Sequence, residues 1–192
     1  MPLDQVKAKF EHAGNEAATV ACVLRDPTNY FEVEARLTDQ DFLTSRHRII
    51  WTIIKTLMRG GMEVLDLASM MSQAAVLKVE EDVGGYEYIN ALFDKSVDPA
   101  NIGFYLKRVA DASTKYKIIQ AVEDIADLTE KNKTLTGETL EASALVDYSQ
   151  DKFLKISVES QRGGEAENIS DGLPDLIQEV IDSPTQSWLD II

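Results

Sequence analysis

An all-α fold is predicted by three features of the chain. Apolar residues recur three and four positions apart in segment after segment. No run of alternating β-branched residues is long enough for a strand to compete. The breakers Pro27, Gly60-Gly61, Gly84-Gly85 and Pro99 fall between the periodic segments rather than inside them. Together these predict a small helical globule over residues 1–98, a projecting antiparallel helical hairpin over residues 99–158, and a flexible linker over residues 159–192 that carries an amphipathic helix at about 171–182.

The central element is predicted between Thr44 or Ser45, whose hydroxyl can cap a helix, and Gly60-Gly61, which can end one in a left-handed turn. Ile49, Ile50, Trp51, Ile53, Ile54, Leu57 and Met58 lie on nearly every side of it, so it must be surrounded. A helix Glu16 to Arg25, capped by Asn15 and stopped at Asp26-Pro27, and a second over Asn29 to Leu37 precede it. Asp39-Gln40-Asp41-Phe42 reads as an acidic corner that sends Phe42 into the core. Asp66 caps a short helix Leu67 to Ala75, and Glu80 to Gly85 form a turn before a helix Tyr86 to Asp94.

From Asn101 to Asn132 there is no proline and only Gly103 near the start, so one long helix is predicted. Its residues Ile102, Tyr105, Val109, Ala112, Tyr116 and Ile119 step alternately by three and four, the spacing of a packing seam, and Ile118, Val122 and Ile125 add a second line. After a turn at Lys131 to Thr134, a return helix Gly137 to Ser157 carries Leu140, Ala144, Leu145, Tyr148, Phe153 and Ile156. A hairpin with more than one apolar line cannot cover itself. Ile102, Tyr105, Val109, Tyr116, Ile119, Leu145 and Tyr148 are therefore expected to meet a second copy of the chain. In the tail, Leu173, Leu176, Ile177, Val180 and Ile181 form an amphipathic stripe too short to be stable alone, which should dock in a groove on another chain. The final Trp188-Leu189-Asp190-Ile191-Ile192 reads as a sequence cut from something longer.

A net charge of −14, with acids along the whole length and no basic stripe, disfavours direct duplex binding. The one cysteine, Cys22, excludes an internal disulfide and reads as a small core residue, in keeping with a reducing cytoplasm. No apolar run is long enough to span a membrane, so no membrane partner is expected. No phosphate-binding glycine loop is present, and two histidines with one cysteine cannot form a His- or Cys-based zinc set. Neither a catalytic residue nor a cofactor or metal site is therefore assigned to this chain. His47 is read as a helix-start side chain bonded to nearby backbone rather than a catalytic base, and Asp39 and Asp41 as caps.

Several segments in order resemble the N-terminal domain of DnaB-family replicative helicases. They are Glu16-Ala17, Asp41-Phe42, His47-Arg48-Ile49-Ile50, Leu57, Gly61, Asp66, Val83-Gly84-Gly85-Tyr86-Glu87-Tyr88-Ile89, Asn101, Tyr105 and Ile118-Ile119. The likeness spans about residues 15 to 182. Ala21-Cys22-Val23-Leu24 lacks a glycine many members carry, and Lys115 or Lys117 stands where arginine is usual, which points to a divergent member, a phage-encoded one included. The resemblance implies that globule and hairpin pair into dimers, three of which form the collar of a hexameric ring. It also implies that the linker helix docks on the neighbouring subunit, that primase and a helicase loader attach to the collar, and that single-stranded DNA is met only through the complete ring. ATP and Mg would then belong to a RecA-like domain expected just past Ile192, in the cytoplasm of a bacterial or infected cell. The rival reading is a stand-alone adaptor or inhibitor with the collar fold and no motor.

Overall fold

The computed structural model describes residues 13–131 and 139–161. Among these are seven α-helices: α1 (Ala13–Arg25), α2 (Asn29–Arg36), α3 (Ser45–Arg59), α4 (Leu67–Leu77), α5 (Gly85–Asp94), α6 (Ile102–Lys131) and α7 (Ala142–Ser160). Two single 3-10 turns, Asp39–Asp41 and Pro99–Asn101, bend the chain into α3 and α6. The all-α prediction holds. The linker helix with Leu173, Leu176, Ile177, Val180 and Ile181 lies outside the described residues.

The core is built where the sequence placed its broadest apolar surface. Ile50, Trp51, Ile53 and Ile54 of α3 are buried, enclosed by Val20, Val23 and Leu24 of α1, Val33 of α2, Met70 and Ala74 of α4, and Ile89 and Leu92 of α5. Phe42 is dropped by the acidic corner as expected, and stacks on Trp51 with ring centroids 5.7 Å apart. Burying each such side chain contributes about 1.5–3 kcal/mol. The Cys22 thiol is fully buried and pushed up to about 11, first by desolvation and then by the nearby Asp98, with Arg25 opposing, so it is an inert core group.

The ends of the helices follow local chemistry only in part: Asn15, expected to cap α1, lies inside it, since the helix already includes Ala13. Asp66 accepts from the Ser69 backbone N–H at 2.7 Å at the start of α4. At the end of α3 the left-handed residue is Gly61 (φ +89°) rather than Gly60 (φ −75°). Gly84 (φ +84°) lets the loop turn tightly into α5, and a Cβ there would lie 2.8 Å from Cβ of Tyr88. At the start of α3, where Thr44 or Ser45 was expected to cap, Ser45 is the first helical residue and the Thr44 hydroxyl is buried without a hydrogen-bond partner, because a side chain from another helix takes its place.

Candidate self-association surface

Two polar assemblies hold α6 and the motif residues in position. In the first, Glu16 of α1 reaches the start of α3, where one carboxylate oxygen accepts from the Leu43 N–H at 2.9 Å and the Thr44 N–H lies 3.2–3.3 Å from both. The other oxygen is 2.9 Å from Nδ1 of His47, whose Nε2 is 2.6 Å from the Tyr88 hydroxyl on α5. A carboxylate only accepts, so Nδ1–H of His47 donates to it, while Nε2 shares a hydrogen bond with the Tyr88 hydroxyl. Arg48 donates twice to the Phe42 carbonyl, at 3.0 and 3.2 Å, closing the same turn. His47 thus bonds to side chains, not to nearby backbone as expected. At 1% exposure it is out of reach of any substrate.

In the second assembly Asp41 links the corner to α6. Its Oδ2 accepts from the Thr38 N–H (2.7 Å) and hydroxyl (2.8 Å), and its Oδ1 from the Ser113 hydroxyl (2.5 Å) and the Lys117 ammonium (2.8 Å). Burial by itself raises the Asp41 pKa, but the Lys117, Ser113 and Thr38 donors outweigh it and hold the carboxyl below its usual range. A lowered folded-state pKa gives stability that is present above the unfolded value and lost as pH falls through the folded one. Asp41→Asn is therefore expected to lower the denaturant midpoint at neutral pH, with the gap to wild type shrinking below about pH 4. A gap independent of pH in urea titrations would contradict this.

The N-terminal half of α6 belongs to the globule. Ile102 (4% exposed) and Val109 (1%) are buried with Leu106 against α1, so these two members of the expected self-association seam are occupied by the chain's own core. The correction has a simple cause: a stripe stepping by three and four announces that a face is covered, not what covers it. Tyr105 is half-buried against the same core, while Tyr116, Ile119, Leu145 and Tyr148 are half-buried along the hairpin.

Beyond Ser113, α6 runs alongside α7, and Lys117 still reaches back to Asp41 of the corner. Lys117–Glu159 (2.9 Å) and Lys152–Asp124 (2.7 Å) join the helices, the partners lying two turns apart on each, which fixes the antiparallel register. Lys152 also sits 5.4 Å over the Tyr148 ring. Away from these ion pairs, Ile118, Val122, Val146, Phe153, Leu154 and Val158 are exposed. Several of them rim a shallow groove of about 780 Å³ that also takes in Ile125 and Leu145. None of the 19 residues of α7 is buried. Val146, Leu154 and Val158 went unassigned in the sequence, although with Phe153 they step by seven, eight and twelve, a line legible once α7 is known to be helical.

This is an all-helical module whose apolar hairpin face suits association and whose described residues include no group of three His, Cys, Asp or Glu able to hold a metal. The chain belongs to the DnaB-like helicase N terminal domain family, which matches residues 9–111. It is similar to the replicative DNA helicase DnaB of Pasteurella multocida (24% identity over 156 residues) and to that of Geobacillus stearothermophilus (26% over 157), in each case over 81% of this chain. The chain spans about a third of the length of these relatives. Its fold matches the crystal structure of the N-terminal domain of DnaB helicase from Mycobacterium tuberculosis, with a TM-score of 0.67 and 19% identity, over 76% of this chain and 97% of that one.

Proposed function

We propose that this chain is the assembly and partner-recruitment region of a hexameric, ATP-dependent replicative DNA helicase. The observation that carries the reading is the exposed apolar face of a hairpin whose second helix has no fully buried residue. Such a face is stable in water when a second copy covers it. In this reading hairpins pair into dimers, dimers assemble into a six-membered collar, and the collar receives primase and a loader. Leu173, Leu176, Ile177, Val180 and Ile181 dock on a neighbouring subunit. ATP and Mg are bound by another part of the parent protein, since the sequence has no phosphate-cradling loop, and single-stranded DNA is engaged by the complete ring. The cytoplasm of a bacterial or infected cell is the setting. Native mass measurement of the 192-residue chain tests the assembly step: dimers or multiples of dimers are expected, and a monomer throughout the micromolar range would overturn it.

A further inference from the structure

We propose that Lys117 is a latch between globule and hairpin, and that breaking its exposed arm frees the last turns of α7 while the globule stays folded. Three segments of chain meet at this one ammonium. On one side it donates to Asp41 of the corner, on the other to Glu159 in the last turn of α7, at 2.8 and 2.9 Å. The two arms differ in exposure: the Asp41 side chain is 11% exposed and that of Glu159 is 45%. The inner arm is reinforced by Ser113 and by the capping bonds of Thr38, whereas the Glu159 carboxylate bonds only to Lys117 among the described residues. Salt screens an exposed pair far more than a buried one. The outer arm is therefore the one that yields.

What it holds is weakly held otherwise. The end of α7 meets the globule at a small gap bordered by Arg36, Leu37, Thr114 and Ile156, of which Leu37 alone is fully buried. No core side chain of α7 pins it there. Further out, the Lys152–Asp124 pair is also exposed. An element with few buried contacts opens locally at much lower cost than the core. The latch thus decides whether the last turns of α7 stay held against the globule. Burial tends to lower the Lys117 pKa, yet bonding to Asp41 and Glu159 raises it overall, so the ammonium is charged and both arms are available at neutral pH.

The inference concerns this chain alone and does not depend on the proposed function. Amide hydrogen exchange of the full chain tests it, read on peptides covering residues 150–160 and 47–58, at concentrations where light scattering gives equal masses for all proteins. In low salt, Glu159→Gln is expected to raise exchange in 150–160 by about threefold, the scale of one exposed ion pair, and to leave 47–58 unchanged. Molar salt should do the same to wild type and add little to the variant. Lys117→Met should raise it further, and because it also strips Asp41 of its partner, Glu159→Gln is the deciding variant. Unchanged exchange in 150–160, or an equal rise in 47–58, would overturn the latch.

Discussion

Glu16→Ala is expected to destabilise the fold by about 3–5 kcal/mol, since several buried donors each lose their acceptor at about 1–3 kcal/mol apiece. The loss has three separable parts. The Leu43 and Thr44 N–H groups lose their acceptor inside the protein, where no water replaces it. The start of α3 loses the negative charge that complements its exposed dipole. His47 loses the carboxylate that holds Nδ1, so the bond from Tyr88 across to α5 is no longer anchored. Since α3 is the helix that the other four short helices enclose, the damage spreads through the globule. A fall in Tm on the order of 10 °C by circular dichroism is expected for a chain of this size. Glu16→Gln keeps an oxygen acceptor but turns an amide donor toward other donors, so it should fall between wild type and Glu16→Ala. A Glu16→Ala midpoint within a degree of wild type would show that the α3 start is satisfied some other way.

Helices were legible because their signals are local. Asp66 lies three residues from the N–H it caps, Gly61 one turn from the carbonyls it follows, and the apolar surface of Ile49 to Met58 within one segment. What could not be read is what the chain brings together over distance. Glu16 is 27 residues from Leu43 and 31 from His47, and Asp41 is 72 from Ser113. Nothing in local spacing sets those partners, so local signals point to Thr44 or Ser45 as the cap and to backbone partners for His47. The residues that carry the family resemblance, among them Glu16, Asp41-Phe42, His47-Arg48, Gly84 and Tyr88, converge on these two assemblies, which gives that ordered set a physical meaning. Two members of the α6 seam turn inward for a related reason. The seam's period is that of a covered stripe along the whole helix, but Ile102 and Val109 face α1, whereas Tyr116 and Ile119 are half-buried along the hairpin. The family assignment rests on the match to residues 9–111 and is untouched by that half of the stripe being internal.

The hairpin face makes the second large prediction. Val122→Asp combined with Phe153→Asp is expected to convert an associating chain to a monomer while leaving its helix content and Tm near wild type. Both side chains are exposed within the single chain, so a carboxylate at either stays hydrated in the monomer. At a paired face the same carboxylates would be desolvated against apolar groups without a counter-charge. With each substitution costing about 2 kcal/mol as a central contact, the pair weakens association about a thousandfold. Val109→Asp separates the two halves of α6: its side chain is in the globule core, so it should abolish the cooperative unfolding transition rather than simply change the mass. Sedimentation alongside circular dichroism distinguishes the outcomes. If Val122→Asp with Phe153→Asp keeps the wild-type mass, the copies meet elsewhere, and the apolar line of α6 and α7 beyond Ser113 is not where this chain pairs.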